Sequence, residues 1–233
     1  MSIIDIILIL LLLISAAFAV YRGFLASFLG VAACLLSYLF ASLAGPALAE
    51  TLGRNQGLTS LLATYTDAGS LIGDYSLSIL PVAAINESML ETVLKNVTLP
   101  PLVLDILRQN LLTNALQSTA FSVNDYVITT VVTVLLRTGS FILCFFLGFL
   151  VLHTLINLID HVFYFPVLRH FDLPLAALMG VLRGVAVVYV LLLAVPIVRM
   201  AAPFDLMEQF WAQSRLIPLF GIDSFFLGIV RGA

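Results

Sequence analysis

The apolar positions of this chain fall into long unbroken runs rather than into alternating or short periodic stripes. Ile3 to Val20 is interrupted only by Asp5 and Ser15, and Phe24 to Ala44 is apolar throughout except for its small polar residues. A third run, Ser140 to Leu158, follows Val127 to Leu136 across Arg137, and a fourth extends from Leu175 to Val198. A helix rises 1.5 Å per residue, so about 20 apolar residues cross the roughly 30 Å hydrocarbon core of a bilayer. The pattern therefore predicts four spanning helices, over residues 3–20, 24–44, 138–158 and 175–198. Gly45-Pro46 is the expected stop of the second, since glycine ends helices and proline cannot continue them. About 30 residues from Val127 to Leu158 are too many for one untilted span. The reading is an interfacial or pre-span turn over 127–136, Arg137 near the outer boundary, and the span after it.

The segment from Glu50 to Asp125 has another texture. Ile85, Met89, Leu90, Val93, Leu94 and Val97 repeat at helical spacing, and Val103, Leu104, Leu107, Leu111, Leu112 and Ala115 do so again beyond Pro100-Pro101. Two amphipathic helices are expected, lying on the membrane or capping the bundle. The tail 204–233 places Met207, Phe210 and Trp211 opposite Asp205, Glu208 and Gln209, the pattern of an interfacial surface helix. The fold class that results is all-α: one integral membrane four-helix bundle, with amphipathic surface helices in an extracytoplasmic insert (50–125) and in the C-terminal tail.

Composition agrees with a membrane protein, with 62% hydrophobic and 10% charged residues and a mean hydropathy of +1.15. Soluble chains carry about 45 to 50% apolar and about 25% charged residues. A net charge of -3 with scattered basic residues argues against a nucleic-acid partner. The lipid bilayer is the expected partner, with other membrane or export proteins and a second copy of the chain as further candidates. Cys34 and Cys144 lie within apolar runs and behave as small hydrophobes there. Ala17-Phe18-Ala19 resembles a signal-peptidase site, but Asp5 and the lack of a preceding Lys or Arg argue against cleavage.

Orientation follows the distribution of basic residues. Arg22 lies in the first link and Arg169 in the link between the third and fourth runs, whereas the insert sets Arg54, Lys95 and Arg108 against seven carboxylates. Both termini and the insert are expected outside, although Arg199, Arg215 and Arg231 oppose that assignment.

Chemistry-bearing constellations are sparse. His153, Asp160 and His161 make at most a partial ligand set, and no metal or cofactor is expected. No serine nucleophile motif or phosphate-binding glycine loop occurs, so no catalytic residue is assigned and an enzyme is not expected. The sequons at Asn86 and Asn96 carry weight only in a glycosylating pathway. Ala176, Gly180 and Gly184, and on the second run Gly23, Ser27 and Gly30, form small-residue stripes that let helices approach closely. Arg183 lies beside the first stripe. Two placements stay open for it: buried against carbonyls or a carboxylate such as Asp5, Asp160 or Asp172, or snorkelling to the headgroups.

Three short motifs in order carry a resemblance. Asp5 precedes the first span and Arg22-Gly23-Phe24 links it to the second. Asp172 and Gly180-Val181-Leu182-Arg183-Gly184 enter the last span, and Ser214-Arg215-Leu216-Ile217-Pro218 follows it. In these features the chain resembles the colicin V production protein family, over Met1 to about Glu50 and Thr138 to about Phe220, with the insert as a departure. The resemblance implies a four-span protein of the bacterial cytoplasmic (inner) membrane, tied to bacteriocin production or export and to envelope homeostasis, with Asp5, Arg22, Gly23, Phe24, Asp172, Gly180, Arg183, Gly184, Ser214, Leu216, Ile217 and Pro218 as its functional or packing residues. Relatives bearing an extracytoplasmic protease after the last span imply a C-terminus outside. The alternative class is a small transporter or channel with a pathway lined by Arg22, Arg137 or Arg183.

Overall fold

The computed structural model describes residues 2–82, 87–97, 99–114, 122–160, 172–201, 213–220 and 228. Among the described residues, four helices are long and apolar enough to cross a membrane: α1 (Ile3–Arg22), α2 (Phe24–Gly53), α7 (Val123–Asp160) and α8 (Asp172–Ala201). Between α2 and α7 come α3 (Gln56–Tyr65), α4 (Tyr75–Ser78), α5 (Glu87–Asn96) and α6 (Pro101–Asn114). A 3₁₀ turn, Ile217–Phe220, follows α8. Among the described residues no strand forms beyond two isolated bridges, Ile72 with Val97 and Pro81 with Ser122. The tail helix expected from Phe204 and the link bearing His161, Arg169 and His170 lie outside the described residues.

The chain divides into two compact units. The first comprises Met1–Pro46, Ser140–Ala194 and Phe204–Ile222. Its polarity is inverted relative to a soluble core. Ile6, Leu13, Leu39, Leu150 and Leu178 are more than half exposed, whereas Asp5, Ser27, Ser37 and Arg183 are buried. Burial of apolar surface drives folding in water, so a unit that presents Ile and Leu outward and hides its ionisable groups is built for a hydrocarbon solvent. Small residues hold it together. A Cβ on Gly180 would stand 2.4 Å from Ala19 Cβ and 2.8 Å from Ala16 Cα, and one on Gly184 would stand 3.0 Å from Ser15 Cβ. These approaches run α8 antiparallel to α1. A Cβ on Gly45 would lie 3.3 Å from Phe141 Cα, and one on Gly148 would lie 3.5 Å from Ser37 Cα, so α2 and α7 are antiparallel too.

Gly45-Pro46 does not end the second helix: α2 continues to Gly53 with Pro46 inside it. Proline removes one backbone bond, but helices built for lipid tolerate the loss when neighbours support the segment. Gly45 therefore serves the close approach to α7 and not termination. Nor is 127–136 a pre-span turn. One helix of 38 residues runs from Val123 to Asp160, about 57 Å at 1.5 Å per residue, through Arg137 and past any single hydrocarbon core.

The second unit comprises Ala47–Gly139, Val195–Pro203 and Asp223–Ala233, and it is built like a soluble core. Val123, Val127, Val131 and Val134 of α7 are fully buried. The helical periodicity expected in the insert is present as α5 and α6. Of their apolar stripes, Leu90, Val93, Val97, Val103, Leu107 and Leu111 are buried within the unit, whereas Met89 is exposed. An amphipathic period specifies a covered face and leaves open what covers it. Helix α3, not anticipated from the pattern, is capped by Asn55, whose Oδ1 accepts from the Gly57 and Leu58 amides at 3.0 and 3.3 Å. Asp74 caps α4, and the Ser76 hydroxyl and amide hold its carboxyl below the usual carboxylate range.

Candidate functional site

The first unit carries two polar clusters toward opposite ends of α1. At its start, Asp5 is the third residue of the first turn, where a carboxylate meets the positive end of the helix dipole. Its Oδ2 accepts from the Ser2 amide at 3.1 Å and, at 3.4 Å, from the Arg215 amide. Its Oδ1 accepts from the Ser214 hydroxyl at 2.5 Å and from the Leu216 amide at 3.3 Å. Four donors thus surround a side chain with 1% of its surface exposed. A buried carboxylate is tolerable when its lone pairs are filled by directed N–H and O–H groups. The Ser214 oxygen also accepts from the Ile217 amide at 3.4 Å, at the entry to the 3₁₀ turn. Ile217 is buried, whereas Pro218 is exposed and suits a first helical turn because it has no N–H to satisfy. Asp5 and the segment Ser214–Ile217 therefore form a clip joining residues 209 positions apart.

At the other end the chain reverses through a single residue. Gly23 has φ 85° and ψ 168°, a conformation open almost only to glycine, and it lets α2 begin at Phe24 directly after α1 ends at Arg22. The Ser27 hydroxyl bridges the corner by donating to the carbonyls of Ala19 at 3.0 Å and Gly23 at 2.8 Å. Phe24 packs its ring against Phe28, with centroids 6.1 Å apart. Arg22 donates from Nη1 to Asn157 Oδ1 on α7 at 2.6 Å, and its Cζ lies 4.9 Å from the centroid of the Phe18 ring.

Arg183 comes to the same ring from α8. Its Cζ is 5.5 Å from the Phe18 centroid, and its Nη1 would lie 3.4 Å from a Cβ built on Gly30. Its side chain is buried, not snorkelled, with 9% of its surface exposed. The small-residue stripe beside it faces α1, where the Ser15 hydroxyl donates to the Gly180 carbonyl at 2.7 Å. Asp5 does not pair with Arg183, because it is engaged at the opposite end of α1. The side chains of Asp160 and Asp172 lie outside the described set, although Asp172 itself opens α8. Among the described residues the Arg183 guanidinium has no hydrogen-bonding or ion-pair partner.

His153 completes the surroundings. Its ring stacks on Phe149 with centroids 5.6 Å apart, its Nδ1 is buried without a hydrogen-bond partner, and both arginine charges act on it. The sequence named Arg22, Arg183 and Gly30 separately. Phe18 and Asn157 were missed; Phe18 stands one helical turn before Arg22, a spacing that could have flagged it, whereas Asn157 lies 135 positions away and no local signal marks it. Among the described residues no cluster of His, Cys, Asp or Glu has the makings of a metal site.

The family model described as Colicin V production protein matches residues 4–99 and 110–223. The match takes in most of the segment 50–125, so the insert is not the departure from the family that its texture implied. No curated protein and no solved structure matches the chain.

Proposed function

The chain belongs to the colicin V production protein family, and on that premise we propose that it is a non-enzymatic factor of the bacterial cytoplasmic membrane. It acts through protein partners in bacteriocin production or export and in envelope homeostasis, as a multi-pass protein with both termini and the 50–125 segment extracytoplasmic. The observation that carries this reading is the family match running through four membrane-length apolar helices. The transporter alternative is less well supported. Transporters place their sites at broken helices in matched repeats, whereas α1, α2, α7 and α8 are each continuous, Pro46 and Pro196 included.

Two experiments test it. A bacteriocin-producing strain deleted for its own family member should recover toxin release and envelope-stress tolerance when given this chain; unchanged release on deletion would remove the functional assignment. For topology, Tyr21→Cys and Lys95→Cys are placed at exposed positions in a protein lacking Cys34 and Cys144. An impermeant thiol reagent should label position 95 in intact cells and position 21 only after permeabilisation. The opposite pattern inverts the topology.

A further inference from the structure

Two arginines share one phenylalanine ring without a carboxylate between them among the described residues, and that arrangement is incomplete as it stands. A guanidinium removed from water needs compensation of several kcal/mol, while a cation over an aromatic face recovers only about 0.5 to 2 kcal/mol. Arg22 is partly compensated by Asn157, which is neutral. Arg183, more than nine-tenths buried, lies over the face of Phe18 and packs against Gly30, with neutral Cys34 close by, and Arg22 repels it. The buried, unpartnered Nδ1 of His153 feels both charges.

The geometry points to a bound phosphate-bearing anion between Arg22 and Arg183. A guanidinium presents two parallel N–H groups at the spacing of two phosphate oxygens, and each arginine retains free donors for such a fork. Gly30 lets the Arg183 side chain pack against α2, a Cβ there meeting Nη1 at 3.4 Å and Cδ at 3.5 Å. The depth suits a lipid headgroup. Arg22 closes a helix of 20 residues, about 30 Å long, so when Ile3 stands at one boundary of the hydrocarbon core Arg22 stands at the other. Arg183, level with Phe18, lies about one turn, or about 6 Å, inside that boundary. A soluble phosphate could reach the same donors, and the two sources differ in what must be added to the purified protein.

The test uses the full chain delipidated in an uncharged maltoside, with unfolding followed as a function of temperature. The probes are inorganic phosphate, at ionic strength matched with chloride, and short-chain phosphatidic acid against short-chain phosphatidylcholine. Stabilisation by phosphatidic acid alone identifies a headgroup site, and stabilisation by inorganic phosphate as well identifies a site open to soluble anions; either outcome supports the inference. Arg183→Lys keeps the charge while losing the fork, and Arg22→Gln acts at the helix end where folding is least at risk. Each should weaken the response about tenfold or more. Absence of any anion response overturns the proposal, as does a response left unchanged in both variants. So does a response seen only in Asp160→Asn or Asp172→Asn, because a carboxylate of the chain would then already occupy the position.

Discussion

Replacing Gly180 by alanine adds a single methyl group, and the packing of α8 on α1 sets its cost. That carbon would sit 2.4 Å from Ala19 Cβ, 2.8 Å from Ala16 Cα and 2.8 Å from the Ser15 carbonyl oxygen. Carbon pairs settle at about 3.5 to 4.0 Å, so α8 must retreat by about 1 Å or more, and two of the three obstacles are backbone atoms that cannot turn aside. Overfilling a packed interface costs about 1 to 3 kcal/mol. The retreat also stretches the Ser15 to Gly180 bond, now 2.7 Å, and such interhelical bonds contribute about 0.6 kcal/mol on average. Alanine's better helix propensity returns at most about 1 kcal/mol. Packing wins, and a net loss of about 1 to 2.5 kcal/mol is expected. Gly139→Ala is the matched comparison, because a Cβ there meets nothing within 4 Å and the propensity gain stands alone. Cys34 and Cys144 are buried, so a thiol-reactive fluorophore reports unfolding of detergent-solubilised protein without added labels. Gly180→Ala should unfold below the wild type and Gly139→Ala at or above it. If Gly180→Ala unfolds with the wild type, the contact between α1 and α8 is not as close as described and the argument fails.

Other expectations follow from the same geometry. Asp5→Ala strips four donors of their acceptor and should speed amide exchange at Leu216 and Ile217; unchanged exchange would disconnect the clip from α1. Ser214→Ala, which leaves the backbone donors in place, should show a smaller effect on the same amides. Gly23→Ala forces a side chain into a glycine conformation and should destabilise the α1–α2 corner by about 1 to 2 kcal/mol, measured by the same thermal assay. Glu50→Gln removes the ion pair to Arg54, but both side chains are exposed, and stability should stay within about 0.5 kcal/mol; a larger loss would mean that the pair is shielded from water.

The four membrane helices were legible in the sequence because a spanning segment must satisfy its backbone internally and meet lipid with its side chains, and both demands are local to the segment. The period of α5 and α6 was legible for a similar reason, since a covered face repeats every three to four residues whatever covers it. Gly23 was identifiable as a link because two apolar runs abut there. Beyond this the sequence misled wherever a residue has two physical uses. Gly45-Pro46 reads as a helix stop, yet the backbone of Phe141, 96 positions on in the chain, made Gly45 a packing surface inside α2. The stretch before Arg137 read as a turn because about 30 apolar residues exceed one untilted span, but α7 is a single helix from Val123 to Asp160. The partners of Asp5 and Arg183 could not be found by spacing at all. A serine 209 residues from Asp5 fills its lone pairs, and a ring on α1 brings together arginines from α1 and α8. Period and length record what each helix requires of its solvent; which side chains meet is set by non-local close approach, and only the folded chain decides that.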